Sequence, residues 1–116
     1  MTYRILTVCT GNICRSPMAE YALCEAVEAE GLAGEVEIAS AGTTGWESGT
    51  PIDPCAGALL REHGMDPSGH RARRMDPEEL RSADLVLALD HDHVDPIRSV
   101  LGADRAAETL RMVAEA

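Results

Sequence analysis

The apolar positions of this chain change period several times, and glycine or proline marks most of the changes. Residues 3–9, YRILTVC, form a short apolar, β-branched run that predicts a buried parallel strand. Residues 15–31, RSPMAEYALCEAVEAEG, read as a helix. Ser16 and Pro17 suit its start and Gly31 its stop, while Ala19, Leu23, Ala26 and Val27 fall on one face with most glutamates opposite. Residues 35–42, EVEIASAG, predict a second strand ending in glycine, and residues 43–54 a loop rich in Gly and Pro. A second helix is expected over 53–64, a basic loop over 66–75, a short capped helix over 76–83 and a strongly apolar third strand over 84–90. Residues 91–102 predict a short helix whose start Pro96 limits, and residues 108–116 a last strand or a fraying end.

Strand and helix alternate, which predicts an α/β layer fold with a parallel sheet and right-handed crossovers. No repeat, linker or low-complexity tract divides the chain, so one domain over residues 1–116 is expected. In such folds ligands sit beyond the carboxyl ends of the strands. Cys9, residues 40–43 and Asp90 all fall at such ends and are expected to converge on one crevice.

Composition narrows the chemistry. The net charge is −10, which argues against nucleic acid as a partner, since binding it needs a basic stripe. All ten basic residues are Arg. No basic amphipathic segment or membrane-length apolar run is present, so no membrane partner is expected. The four cysteines, Cys9, Cys14, Cys24 and Cys55, make no Cys-x-x-Cys pair, and no His stands beside them at zinc-ligand spacing, so no metal is expected. With no signal peptide, the chain reads as cytoplasmic with reduced thiols. Cys24 and Cys55 are expected to be packing residues.

The stretch CTGNICRS, residues 9–16, then stands out as a strand-to-helix turn. Gly11 allows a tight or left-handed backbone, and Asn12 tolerates the same. Successive amides can point inward as an anion nest, and the following helix adds its positive end. Arg15 supplies a planar fork that matches two phosphate oxygens. A thiol on the floor of such a cradle ionises more readily than a free one, and the thiolate is the nucleophile. Cys9, at the strand end and separated from Arg15 by five residues, is placed to attack, whereas Cys14 adjoins Arg15 and is not. Ser16 is placed to hydrogen-bond the thiolate and help it leave. An ordinary strand-to-helix turn is the alternative reading of the same spacing. A Walker-type phosphate loop is disfavoured because its pattern is absent.

VCTGNICRSPMAE strongly resembles the active-site loop of the low-molecular-weight protein tyrosine phosphatases. SAGTTGW (40–46), GHRAR (69–73) and DLVLALD (84–90) follow in that family's order and approximate spacing. The resemblance implies a three-layer α/β sandwich with a central four-stranded parallel sheet and a phosphate-binding loop after the first strand. It implies a phosphocysteine on Cys9, with the amides of Thr10, Gly11, Asn12, Ile13 and Cys14, together with Arg15, holding the phosphoryl oxygens. It further implies Asn12 holding the loop with Ser40 and His70 as supports, Trp46 as a wall of the substrate cleft, and Cys14 as a redox partner of Cys9. The expected substrate is a phosphotyrosine protein or a small aryl phosphate, with no cofactor. Arg71, Arg73 and Arg74 are either a solvated face or an attraction for an acidic phosphopeptide.

The family's general acid is an Asp in an Asp-Pro-aromatic-aromatic segment near the carboxyl end, and no such segment occurs here. Asp53-Pro54, Asp66-Pro67, Asp76-Pro77 and Asp95-Pro96 lack the aromatics and lie at other places. Either the chain is part of a longer protein, or it lacks an acid worth roughly 10²–10⁴-fold, leaving Asp90 and Asp92 as poor substitutes. Two rival functions remain. An arsenate reductase shares the loop but relays a disulfide through cysteines after the third strand, and none follows Cys55. A non-catalytic phosphate- or phosphoprotein-binding module would not need the thiol.

Overall fold

The computed structural model describes residues 2–113. Strand β1 (Tyr3–Cys9) leads into helix α1 (Arg15–Ala29), followed by β2 (Val36–Gly42), α2 (Pro54–Glu62) and α3 (Pro77–Ser82). Then come β3 (Leu85–Ala88), a 3₁₀ turn (His91–His93), α4 (Val94–Leu101), α5 (Ala103–Thr109) and β4 (Leu110–Met112). The sheet has four parallel strands in the order β2-β1-β3-β4, so β1 is central and its carboxyl end opens between two neighbours. The parallel α/β fold with a four-stranded sheet is the expected one.

Alternation along β1 decides the layers. Leu6 and Val8 point into a core with Ala41, Val86 and Ala88 of the sheet, closed by Leu80 of α3, Ile97 of α4 and Ala106 of α5. Leu6, Leu80 and Ile97 are fully buried, each contributing roughly 1.5–3 kcal/mol. On the other face α1 lies over β1 and β2, and α2 joins it through a smaller cluster of Ile52, Ala56 and Leu60 against Met18 and Tyr21. Thr7 and Cys9 point to this second face. There the Thr7 hydroxyl donates to the Ser16 carbonyl at 2.8 Å and ties the start of α1 to the strand.

Three expectations need correcting, and a fourth is narrowed to one residue. Residues 103–109 form α5, where no element was expected, and the last strand is only Leu110–Met112; residues 114–116 lie outside those described. The predicted inner face of α1 is thinly covered: Leu23 and Val27 are half-buried and Ala26 is exposed. Cys55 is exposed near the start of α2, and Cys24 is half-buried, so neither is a core packing residue. The left-handed residue of the 9–16 turn is Asn12, with φ 59°, while Gly11 has no positive φ. At Gly11 a Cβ would stand 3.2 Å from the Glu47 Cγ, a tight contact that the Glu47 side chain would have to yield to.

Candidate active site

The turn between β1 and α1 is built on Asn12. Its left-handed backbone reverses the chain, and its fully buried side chain uses every polar group. The amide nitrogen donates to Ser16 Oγ at 2.8 Å and to Ser40 Oγ at 2.9 Å. The amide oxygen accepts the Arg73 backbone N–H at 3.0 Å. The Asn12 carbonyl takes a bond from His70 Nε2 at 2.7 Å. The start of α1, strand β2 and the loop after α2 are thereby pinned to one residue, and no buried side-chain polar atom among the described residues lacks a partner.

Donor and acceptor roles follow from Asn12. Ser40 Oγ accepts from Asn12 and gives its own proton to Glu20 Oε1 at 2.5 Å. Ser16 Oγ also accepts from Asn12, and its proton has two acceptors in reach, Cys9 Sγ at 3.0 Å and the Ala41 carbonyl at 3.4 Å. The Cys9 sulfur is buried at the strand end with a hydroxyl in hydrogen-bond reach, as a thiolate leaving or attacking group requires. Above it, α1 begins at Cys14 with no side-chain cap and no acid in its first turn. By contrast, the Asp53 and Asp76 carboxylates cap α2 and α3. The first amides of α1 keep their orphan donors for an outside anion.

Arg15 is half-exposed, and its guanidinium reaches Asp90 Oδ2 at 3.3 Å. The loops after β1 and β3 do meet. Asp90 is held below the usual carboxylate range, first by the His91 backbone N–H and then by Arg15. It is therefore a carboxylate at working pH and a poor proton donor. Trp46 stands on the loop after β2 with 83% of its surface exposed, so it belongs to a rim and not to the core. Cys14 is exposed, and its thiol is pushed up by burial, Asp53 and Cys9 against the pull of Arg15. Of the basic loop, Arg73 is engaged with Glu79 through two bonds of 2.7 and 2.8 Å, whereas Arg71 and Arg74 are exposed.

Sequence reasoning missed two residues of this assembly. Glu20, one turn after Ser16 on α1, anchors Ser40; that spacing was its only signal. His93 lies fully inside and bonds Thr10 Oγ1 at 3.0 Å; its signal was a position three residues after the capping Asp90. Among the described residues no group of three or more potential ligands is arranged to hold a metal.

Residues 4–115 match the family model described as low molecular weight phosphotyrosine protein phosphatase. The chain belongs to that family. It is 44% identical to a low molecular weight protein-tyrosine-phosphatase of Streptomyces coelicolor, over 97% of this chain and 68% of that protein. It is 46% identical to low molecular weight protein-tyrosine phosphatase A of Mycobacterium tuberculosis, over 85% of this chain and 59% of that protein. The match to the mycobacterial protein therefore spans less than two thirds of its length. Among solved structures, YfkJ from Bacillus subtilis superposes with a TM-score of 0.93 at 31% identity, covering 99% of this chain and 72% of that one. An arginine phosphatase, YwlE, with a phosphorylated active-site serine gives 0.85 at 35% identity, covering 97% and 70%. Proteins named as tyrosine phosphatases thus share the fold whose strand-end loop carries Cys9, and no helix among the described residues is long and apolar enough to cross a membrane.

Proposed function

We propose that this chain hydrolyses phosphate monoesters, aryl phosphates of the phosphotyrosine type foremost, through a thiophosphate on Cys9. The observation that carries the reading is the Ser16 hydroxyl 3.0 Å from the buried Cys9 sulfur, at the strand end that leads to the uncapped start of α1. The Cys9 thiolate attacks phosphorus in line. The bond from phosphorus to the leaving oxygen breaks, and that oxygen takes a proton. Water then attacks phosphorus, the sulfur–phosphorus bond breaks, and the thiolate is restored with Ser16 donating to it. Arg15 and the amides of residues 10–15 hold the equatorial oxygens, where charge concentrates.

Asn12, Ser40 and His70 support the loop without touching substrate. Trp46 offers an exposed aromatic face at the rim, which suits an aryl group. The cytoplasm is the proposed compartment, because the four thiols are unpaired and Cys9 needs to stay reduced. A phosphorylated arginine side chain is the second substrate to weigh, since an arginine phosphatase shares this fold at 35% identity. An arsenate reductase is the weaker alternative, for want of any cysteine after Cys55. A purely binding role leaves the Cys9–Ser16 pair without a purpose.

The test is rapid-mixing kinetics with p-nitrophenyl phosphate, with Cys9→Ser as control. A burst of about one equivalent of nitrophenol followed by steady turnover is expected. Phosphotyrosine and phosphoarginine peptides are then compared by phosphate release. Absence of any burst with a folded chain would overturn the reading in favour of a binding module.

A further inference from the structure

The phosphate loop has a second fastening, on the side away from Asn12. The His93 ring is 1% exposed and sits between the loops after β1 and β3. Its Nδ1 accepts the Asp90 backbone N–H at 3.1 Å, so the ring proton is on Nε2, which donates to Thr10 Oγ1 at 3.0 Å. Asp90 has two further ties: its carboxylate takes the His91 N–H at 2.7 Å and meets the Arg15 guanidinium at 3.3 Å. One imidazole therefore joins Thr10 of the phosphate loop to Asp90, the acid that meets Arg15.

We infer that His93 is a positioning residue for phosphate capture: through Thr10 and Asp90 it fixes the phosphate loop and the resting place of Arg15 relative to each other. The inference rests on reading residues 9–16 as a phosphate loop. Its physical content is preorganisation. A flexible arginine held near its working position loses less freedom when the dianion arrives. The ring is built for this work, because it needs both nitrogens in opposite roles and has no spare bond for packing alone. His93 touches neither substrate nor sulfur, so its effect falls on binding before it falls on the chemical step.

The experiment measures the affinity of inorganic phosphate by calorimetry at neutral pH, with KM and kcat on p-nitrophenyl phosphate alongside. His93→Leu keeps buried bulk and removes both bonds. It is expected to weaken phosphate binding and raise KM by about tenfold, with kcat within about threefold. His93→Asn keeps an acceptor for the Asp90 N–H and is expected to recover most of that loss. Thr10→Val, at an exposed position, removes only the loop-side partner and is expected to weaken phosphate by about threefold whether or not His93→Leu folds. Phosphate affinity within twofold of the unsubstituted chain in a folded His93→Leu overturns the inference. So does an unchanged affinity in Thr10→Val, or an Asn variant as weak as the Leu variant. An unsubstituted chain that binds no phosphate sinks the phosphate-loop reading itself, which is a different failure.

Discussion

The Ser16 hydroxyl lies 3.0 Å from the Cys9 sulfur, and Asn12 donates to the same oxygen from 2.8 Å. The Ser16 proton has two acceptors in reach, the Ala41 carbonyl at 3.4 Å and the nearer Cys9 sulfur, and a thiolate there draws it to sulfur. That bond is strongest when the sulfur carries charge, which is before attack and at departure from phosphorus. Ser16→Ala removes a charge-assisted bond worth roughly 1.5–3 kcal/mol, which corresponds to about 10–100-fold in rate. The expected phenotype is a preserved burst with slower steady turnover, read by stopped flow. Turnover equal to that of the unsubstituted chain would remove Ser16 from the mechanism.

The roles proposed for Cys9 and Arg15 are separable. Cys9→Ser is expected to abolish turnover while inorganic phosphate still binds, because the amides and Arg15 remain. Arg15→Ala is expected to lose both, since the fork binds the ground-state dianion and the transition state alike. Calorimetry with phosphate beside steady-state kinetics separates the two. A Cys9→Ser variant with retained turnover would refute the thiophosphate, and an Arg15→Ala variant with normal phosphate affinity would refute the cradle.

The loop is held by a strained residue that repays its strain in hydrogen bonds. Asn12 sits at φ 59° and supplies both amide atoms to buried partners. Asn12→Ala leaves Ser16, Ser40 and the Arg73 N–H short of partners and keeps a non-glycine side chain in the left-handed region. The expected loss is about 3–5 kcal/mol. Asn12→Gly also loses the bonds but relieves the backbone, and is expected to be about 1 kcal/mol less damaging. Urea melts of both variants test this ordering. Equal losses would mean that the backbone term is negligible.

Much of this site was readable in the residue order, and the parts that were not share a cause. Cys9, Arg15 and Ser16 lie within eight positions, so local spacing sufficed to place nucleophile, fork and hydroxyl together. β1 and β3 announced themselves because parallel strands buried on both faces are continuous apolar runs, whereas β4, only Leu110–Met112, is too short to show one. Helix α5 was missed because ADRAAET carries no apolar stripe; one buried Ala106 and the packing of its neighbours decide it. The left-handed position was spread over Gly11 and Asn12, and only the three-dimensional demand for the Asn12 side chain chooses between them. The role of His93 was legible only in its place three residues after Asp90, because its other partner, Thr10, is 83 positions away.

His93 also sets an acid limit on stability. Burial pushes its pKa below the ordinary 6.5, and the nearby Arg15 pushes the same way, while Asp90 and Asp92 pull it up less strongly. The folded chain therefore binds fewer protons than the unfolded chain between the lowered pKa and 6.5. The sign follows: this contribution is complete above about pH 6.5 and is lost as pH falls from there towards the folded-state pKa. Melting temperature is expected to drop more steeply between about pH 7 and about pH 5 in the unsubstituted chain than in His93→Asn, which has nothing to protonate. Parallel profiles would show that the ring does not titrate in that window.

Cys14 gives the last prediction, because its environment works against its reactivity. Burial, Asp53 and Cys9 all raise its pKa, and Arg15 only partly offsets them, so at neutral pH the group is predominantly the thiol. Peroxide is expected to oxidise the Cys9 thiolate to a sulfenic acid. The Cys14 thiolate is then expected to attack that sulfur, the sulfenic oxygen leaving as hydroxide that takes a proton from solvent as the disulfide forms. The attacking species is scarce, so closure is expected to accelerate with rising pH, roughly tenfold per unit while the thiol still predominates. Excess peroxide competes by driving Cys9 on to the irreversible sulfinic acid. Cys14→Ser is therefore expected to be inactivated beyond recovery by dithiothreitol, whereas the unsubstituted chain regains activity, and regains more when oxidised at higher pH. Activity recovered after graded peroxide exposure is the measurement. Equal recovery in both chains would take Cys14 out of any protective role and leave it as an exposed thiol beside the phosphate loop.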